Sequence, residues 1–128
     1  MIDHIDHVVL TTRDLAACLR FYVEVLGMKF EKFQTPTETR MALKFGNQKI
    51  NVHEWGREFS PRAHVAAPGT LDLCLIASVS LEEVVEKLQH SNMKILEGPV
   101  LKTGATSKIR SVYVRDPDLN LVEISVPA

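Results

Sequence analysis

The sequence predicts an α+β fold in which two βαβββ modules form a curved, eight-stranded mixed sheet around a cleft. Three observations lead to this prediction. The 128 residues suffice for one domain with its own core and are too few for two ordinary domains. The order of a strand, a helix and three strands occurs twice, offset by about 65 residues, and each half alone would leave one face of its sheet uncovered. We therefore expect a single domain over residues 1–128, with modules at about 1–55 and 71–128.

The first module begins with a strand, which is predicted over Ile5–Thr12 because polar and aliphatic residues alternate there. A helix is predicted over about Leu15–Val25, where apolar residues recur at helical spacing. Asp14 or Thr12 can cap its first turn, and Gly27 supplies its C-terminal stop. The three strands predicted after this helix are Met28–Phe33, Arg40–Phe45 and Gln48–Trp55.

A linking loop over residues 56–70 separates the modules, since this segment holds two prolines, two glycines and no periodic pattern. In the second module, Ser80 and Glu83 form a capping box, which predicts a helix that extends to about Ser91. The strands predicted around this helix are Leu71–Ala77, Ile95–Leu101, Ile109–Arg115 and Leu121–Val126. A turn over residues 116–118, Asp-Pro-Asp, joins the last two strands.

The composition is that of an ordinary soluble globule: 45% of the residues are hydrophobic, 24% are charged, and the formal net charge is -1. This near-neutral balance gives no electrostatic basis for binding nucleic acid or an anionic membrane. No apolar run approaches the roughly 20 residues that span a bilayer, and the N-terminus lacks the basic region of a signal peptide. Cys18 and Cys74 fit free thiols in a reducing compartment, so we expect a cytoplasmic protein.

The repeat predicts a site without reference to any family. Alignment of the modules pairs His7 with Asp72, and Asn51 with Glu123. Each of these residues is flanked by aliphatic residues that belong against a helix, so each should lie on the inward face of its strand. An imidazole, an amide and two carboxylates would then converge, and two carboxylates brought together without a cation are costly. A divalent metal ion bound by these four side chains is the simplest compensation.

An oxygen-rich donor set with one imidazole suits Mn²⁺, Ni²⁺, Fe²⁺, Mg²⁺ or Zn²⁺ and argues against copper or a thiolate site. Open positions on such an ion could chelate a small substrate through two neighbouring oxygens. His53 follows Asn51 by two residues and faces the same way. It could replace Asn51 as a ligand, act as an acid or base beside the metal, or be a buried structural residue. Cys74 is expected to be a small apolar filler of the predicted cleft.

Stretches at the two ends of the chain carry a family resemblance. They read IDHVVL at 5–10, DL at 14–15 and FYVEVLGM at 21–28, and then RDPDLNLVEI at 115–124. Together they resemble the opening and closing signatures of the vicinal oxygen chelate superfamily, which holds glyoxalase I, fosfomycin and bleomycin resistance proteins, and extradiol dioxygenases. Within it, KINVHE at 49–54 and GTLDLCLI at 69–76 resemble glyoxalase-domain-containing proteins, whose bacterial relatives are often described as virulence-associated. The resemblance covers nearly the whole chain.

This resemblance implies metal ligands at His7, Asp72 and Glu123, with a fourth near Asn51 as in glyoxalase-like members. Asp72 stands where many members have histidine, and Asn51 stands where relatives have Glu or Gln. The resemblance also implies a homodimer, because members of the superfamily commonly pair. Some members build the site from both chains, so the sequence leaves open whether His7 and Glu123 meet within one subunit.

Three functions fit these residues. The first is a metal-dependent, glyoxalase-like lyase or isomerase in which Glu123 shuttles a proton; it would not be the classical lactoylglutathione lyase, because Thr11 and Trp55 replace residues that bind glutathione in that enzyme. The second is an extradiol dioxygenase, which needs two histidine ligands; with Asp72 in place of one, only His53 could restore the count. The third is a non-catalytic binding or resistance protein, which paired carboxylates in a dry cleft disfavour. The sequence therefore favours the lyase or isomerase.

Overall fold

The computed structural model describes residues 1–128, which divide into two compact units, unit 1 over Met1–Thr70 and unit 2 over Leu71–Ala128. Each unit contains one four-stranded mixed sheet, with a helix between its first and second strands. The predicted α+β fold of two βαβββ modules is confirmed, and all eight predicted strands are present. No helix has the length and the apolar content that are needed to cross a membrane.

Unit 1 contains β1 (His7–Thr12), α1 (Leu15–Leu19), a π-helical continuation of α1 (Arg20–Val25), β2 (Lys29–Gln34), β3 (Thr39–Phe45) and β4 (Gln48–Glu54). The strands of this sheet, sheet 1, are ordered β1-β4-β3-β2; β1 and β4 are parallel, and the other pairs are antiparallel. The helix is capped as predicted, since the Asp14 carboxylate accepts a hydrogen bond from the Ala17 N–H at 3.0 Å. Gly27, with φ of +78°, follows the helix in the left-handed conformation that a C-terminal stop requires.

The core of unit 1 lies on the face of sheet 1 that carries the even-numbered side chains of β1 and β4. Leu10, Ile50 and Val52 are at most 2% exposed there, as the alternation predicts. The helical residues Phe21 and Tyr22 are also at most 2% exposed. Removal of this apolar surface from water stabilises the unit by roughly 25 cal/mol for each Å² buried. The odd-numbered side chains of the same strands are left on the opposite face of the sheet.

Unit 2 contains β5 (Asp72–Ile76), α2 (Leu81–His90), β6 (Glu97–Thr103), β7 (Lys108–Arg115) and β8 (Leu121–Pro127). The strands of this sheet, sheet 2, are ordered β5-β8-β7-β6, with β5 and β8 parallel. The predicted cap of α2 is confirmed, because Ser80 Oγ accepts a hydrogen bond from the Glu83 N–H at 3.2 Å. The helix contacts β7 and β8. It buries three of the four apolar residues predicted for it, Leu81, Val84 and Leu88.

A bulge changes the start of β6. The strand was predicted from Ile95 but begins at Glu97, and its register with β7 shifts between Glu97 and Val100. Gly98 lies inside this irregularity with φ of +103°, and a Cβ at that position would lie 2.3 Å from the backbone oxygen of Ser111. The bulge therefore needs glycine, both for its backbone conformation and for the close approach of β7.

The turn between β7 and β8 is fixed by the buried side chain of Asp116. Its carboxylate accepts hydrogen bonds of 2.9 Å from the backbone N–H groups of Asp118 and Asn120, and one of 2.7 Å from the Asn120 amide. Asn120 Oδ1 in turn accepts the N–H of Leu71 at 2.9 Å, just before β5. The turn predicted from the sequence is confirmed, and its side chains also hold the parallel strands β5 and β8 together.

The registers of the parallel strands align the two modules as the sequence predicts. On β1, His7 lies two residues before Val9, which is paired with Asn51 on β4. On β5, Asp72 lies two residues before Cys74, which is paired with Glu123 on β8. His7 and Asp72 are therefore equivalent positions in their units, and so are Asn51 and Glu123.

Candidate functional site

The side chains of β1 and β4 that point away from the core form the polar face of sheet 1, which includes His7, Asn51 and His53. His7 is exposed, and Asn51 and His53 are half-buried. Their strand neighbours Ile50 and Val52 are 1% and 2% exposed on the core side. The predicted alternation of buried and outward-facing residues along β1 and β4 is thus confirmed.

His7 is oriented by the carboxylate that precedes it in the chain. His7 Nδ1 lies 2.8 Å from Asp6 Oδ2. This hydrogen bond holds the pKa of Asp6 below its usual value, with a smaller contribution from the charge of Lys49. A carboxylate on one ring nitrogen fixes the orientation of an imidazole and leaves the other nitrogen, here Nε2, available to a metal ion. The local geometry of His7 therefore fits the role of a metal ligand.

Asn51 and His53 lie at different distances from His7 along the sheet. The β1 partner of Asn51 is two residues from His7, and the partner of His53 is four residues from it. At a rise of about 3.3 Å per residue, these offsets correspond to about 7 and about 13 Å along the strands. Asn51 is therefore the nearer of the two to any ion that His7 binds, and His53 belongs to a separate region of the polar face.

A pocket of about 280 Å³ lies where β3 and β4 separate. Both strands extend two residues beyond the Met41–Val52 pair, yet the pairing between them begins at this pair. The walls come from the ends of these strands and from the neighbouring loop residues: Thr37, Glu38, Thr39, Met41, Val52, His53, Glu54, Arg57 and Phe59. A space of this size admits a small organic group.

His53 lies at this pocket beside an aromatic ring and a cation. Its ring centroid is 4.6 Å from that of Phe59, and the guanidinium carbon of Arg40 lies 4.7 Å from the Phe59 centroid. His53 Nδ1 is buried and has no hydrogen-bond partner. Burial, assisted by the charge of Arg40, lowers the pKa of His53, although Glu58 and Glu38 act in the opposite direction. The imidazole is therefore neutral at pH 7, and its Nδ1 is buried without a hydrogen-bond partner.

The polar face of sheet 2, opposite the side that α2 covers, is organised around the half-buried carboxylate of Glu123. Ser111 Oγ donates to Glu123 Oε2 at 2.6 Å, and the hydroxyls of Ser111 and Ser125 lie 2.7 Å apart. Both serines are 0% exposed. Because a buried hydroxyl binds one carboxylate oxygen, Glu123 is held in one orientation, which suits a carboxylate that binds a metal or transfers a proton.

Two further side chains adjoin Glu123. Tyr113 lies opposite it on β7, and burial together with the hydrogen bond to Glu123 raises the pKa of Tyr113 to about 12. Cys74 Sγ lies 3.3 Å from Ser125 Oγ, and partial burial of the thiol raises its pKa. Both groups are therefore protonated at pH 7. The expectation that Cys74 is an apolar filler is wrong, because its side chain is exposed and contacts a hydroxyl.

The predicted metal ligands are distributed over both units, with His7 and Asn51 in unit 1, and Asp72 and Glu123 in unit 2. No three His, Cys, Asp or Glu side chains of the chain lie together in a group that could hold an ion. The environments of two of the predicted ligands nevertheless fit metal binding, because hydrogen bonds orient the His7 ring and the Glu123 carboxylate. Asp72 is exposed at the first position of β5.

Sequence reasoning missed five residues that support the candidate side chains: Asp6, Ser111, Ser125, Tyr113 and Phe59. Ser111 and Tyr113 alternate with buried aliphatic residues on β7, so pairing of β7 with β8 would have placed them beside Glu123. Phe59 gave no such signal, because it lies in the linking loop, where no periodicity fixes the direction of a side chain.

Comparison with known proteins identifies the family. The model of the Glyoxalase/Bleomycin resistance protein/Dioxygenase superfamily matches residues 4–124. The chain belongs to this superfamily. The resemblance to the vicinal oxygen chelate superfamily that the sequence motifs indicate is thereby confirmed.

Relatives within the superfamily match almost the whole chain. Virulence protein STM3117 of Salmonella typhimurium is 49% identical over 125 residues, which are 98% of this chain and 85% of that protein. Its crystal structure has a TM-score of 0.94 at 48% identity and covers 100% of this chain and 99% of its own. Glyoxalase domain-containing protein RDO1 of Mycosarcoma maydis is 45% identical over 121 residues, which are 94% of this chain and 66% of that protein. The chain thus resembles glyoxalase-domain relatives in both sequence and fold.

Proposed function

We propose that this superfamily member is a metal-dependent lyase or isomerase of the glyoxalase type, acting on a small substrate with two neighbouring oxygens. The observation that carries the proposal is the Glu123 carboxylate, which a fully buried Ser111 hydroxyl holds at 2.6 Å. A carboxylate fixed in this way suits both metal binding and proton transfer. Its position in unit 2 is equivalent to that of Asn51 in unit 1.

A divalent ion would be held by His7, Asp72 and Glu123, with the Asn51 amide oxygen as a fourth donor. When bound, the ion supplies Lewis acidity that polarises the oxygens of a substrate. Asp6 orients the His7 ring for this role through the 2.8 Å hydrogen bond. Three oxygen donors and one imidazole suit Mn²⁺, Ni²⁺, Fe²⁺ or Zn²⁺.

The side chains of the chain itself supply the proton chemistry in this proposal. Glu123 takes a proton from the substrate and returns it, while Ser111 keeps the carboxylate in position. Tyr113, whose pKa is raised to about 12, remains a neutral hydrogen-bond donor beside it. His53 is neutral and lines the pocket, so it can serve as a second acid or base for a substrate that reaches it.

Three structural details support this choice. Thr11, at the position where glyoxalase I has an arginine for glutathione, is 7% exposed and offers no charge, which disfavours lactoylglutathione as the substrate. An extradiol dioxygenase needs a second histidine ligand, and the register separates His53 from His7 by about 13 Å along the strands. A non-catalytic binding protein would not require the hydroxyl network that fixes Glu123.

Calorimetric titration of the chelator-treated protein with Mn²⁺, Ni²⁺ and Zn²⁺ tests the metal site. We expect one ion per pair of modules, with binding lost in His7→Ala and in Glu123→Ala. His64→Ala is the matched control, because His64 is an exposed histidine in the linking loop and should leave binding unchanged. Equal affinity in the wild type and in both ligand variants would remove these residues from the site.

Proton exchange tests the chemistry once a metal has been identified. Incubation of the loaded protein with small hydroxyketones in D₂O should replace the hydrogen next to the carbonyl, which ¹H NMR detects as signal loss. Glu123→Gln should abolish this exchange, and Ser111→Ala should slow it. Exchange at the wild-type rate in Glu123→Gln would exclude Glu123 as the base.

The homodimer that the family resemblance implies is also part of the proposal. Mixing His7→Ala chains with Glu123→Ala chains tests where the ligands meet. If each site takes His7 from one chain and Glu123 from the other, a mixed dimer regains one intact site and binds metal. If both ligands come from one chain, the mixture binds no more metal than the separate variants.

A further inference from the structure

Three lysines and His7 form a row across the polar face of sheet 1. The strand registers place Lys29 opposite Lys44, Lys44 opposite Lys49, and Lys49 opposite His7. These residues follow the strand order β2-β3-β4-β1, so all four side chains lie on one face in a line perpendicular to the strands. We call the three lysines the lysine row.

Acidic partners compensate the lysine row only in part. Like charges directly opposite each other on neighbouring strands are destabilising, and the row contains two such pairs. Glu31 approaches Lys44 at 3.9 Å, the outer limit of an ion pair, and both side chains are about half exposed. Asp6 is the other nearby acid, and its carboxylate is hydrogen bonded to His7. A chain with a net charge of only -1 has therefore gathered positive charge at one place on this face.

We propose that the lysine row binds an anionic group of the substrate, either a phosphate or a carboxylate. Lysine ammonium groups act as compact point charges for such groups, and several of them in a line raise the local concentration of an anion. A bound anion also removes the repulsion between neighbouring lysines, which gives the otherwise unfavourable register a function. This inference rests on the proposed function, which places the reacting oxygens of the substrate beside His7.

The spacing of the strands sets the size of the substrate. Neighbouring strands are about 4.8 Å apart, so Lys49 is one spacing and Lys44 two spacings from the strand that carries His7. An anionic group on these lysines would then lie about 5–10 Å from oxygens held near His7. A short hydroxyketone with a phosphate or carboxylate at its end spans this distance. A substrate whose anionic group is separated from the reacting oxygens by a long chain does not fit it.

Titration with inorganic phosphate, followed by ¹H–¹⁵N NMR on the metal-free protein, tests the lysines apart from the metal. We expect saturable shifts at residues 29, 44 and 49 that weaken as ionic strength rises. Lys44→Gln combined with Lys49→Gln should reduce the affinity about tenfold, because each exposed charge pair contributes up to about fivefold. The single variant Lys49→Arg keeps the positive charge and should therefore retain most of the wild-type affinity for phosphate.

Lys32→Gln is the matched control. Lys32 is on β2 with Lys29, but it lies opposite Met41 and thus on the other face of the sheet. An equal loss of phosphate binding in Lys32→Gln would show that net charge alone is responsible and would overturn the proposal. Absence of phosphate binding in the wild type would overturn it as well, whatever the metal titration gives.

Three hydroxyketones then distinguish the two anions. Dihydroxyacetone is neutral, 5-hydroxy-4-oxopentanoate carries a carboxylate at its far end, and dihydroxyacetone phosphate carries a phosphate. Calorimetry on the metal-loaded protein should give the tightest binding for one of the anionic compounds, with the advantage lost when both Lys44 and Lys49 are replaced by Gln. Equal binding of all three would refute the anionic substrate while leaving the metal site intact. If the wild-type protein binds phosphate but no metal ion, the proposed function is refuted and the lysine row still binds an anion.

Discussion

Replacement of Ser111 by alanine is the sharpest test of how Glu123 is held. A hydrogen bond to a charged acceptor contributes about 1.5–3 kcal/mol to the free energy of unfolding. Ser125 Oγ lies 3.4 Å from the same carboxylate oxygen and can replace part of the lost bond, so we expect the lower half of this range, about 1.5–2 kcal/mol. For a small protein with a urea m-value near 1.5–2 kcal/mol/M, the midpoint of unfolding should fall by about 1 M.

Urea unfolding followed by circular dichroism measures this change, with Ser107→Ala as the control. Ser107 is exposed and its hydroxyl makes a single 3.3 Å hydrogen bond, to the Lys108 carbonyl, so its replacement should change the free energy of unfolding by less than about 0.5 kcal/mol. In the background of Glu123→Gln, Ser111→Ala should cost less, because the charge on the acceptor is gone. If Ser111→Ala behaves like Ser107→Ala, or costs the same in both backgrounds, the hydroxyl does not hold the carboxylate.

Four further outcomes follow from the contacts. The pKa of His53, followed by NMR, should lie below its ordinary value and rise in Phe59→Ala, because that ring contributes to its burial; a value unchanged by the substitution would contradict this cause. Since this pKa is lowered, the contribution of His53 to the free energy of unfolding is complete above about pH 6.5 and is lost as the pH falls through the folded-state pKa, so His53→Gln should flatten that part of the stability curve. Ser80→Ala should cost about 1 kcal/mol in thermal or urea unfolding through loss of the helix cap, and no change would exclude that role. Asp116→Ala should cost about 2–3 kcal/mol, because its buried carboxylate accepts three hydrogen bonds, and a loss under 1 kcal/mol would mean that the turn forms without it.

The alternation of side chains made much of the fold predictable. A strand residue can lie on only one of two faces, so buried neighbours such as Ile50 and Val52 fix where Asn51 and His53 point. The repeat then aligned the modules with the register that the parallel strands show, which puts Asn51 and Glu123 at equivalent positions. Capping residues such as Ser80 were also readable, since a cap acts on N–H groups only a few residues away.

Features that depend on distant partners were not predictable. The bond from Ser111 to Glu123 exists only because two strands pair in one register, and no local pattern states that register. The bulge at Gly98, which shortens β6, likewise depends on the close approach of β7. The contact between His53 and Phe59 needs a loop conformation, and loops carry no periodicity. The supporting side chains of the candidate site are therefore harder to predict than the candidates themselves.

An anomalous diffraction map from crystals grown with Mn²⁺ tests the central claim most directly. The account predicts one strong peak about 2.2 Å from His7 Nε2, with a carboxylate oxygen of Glu123, from the same chain or a partner copy, at a similar distance. It also predicts that the Asn51 amide oxygen is nearer to this peak than any atom of His53. A peak coordinated by other residues, or no peak in a protein that calorimetry shows to be saturated, would contradict the account.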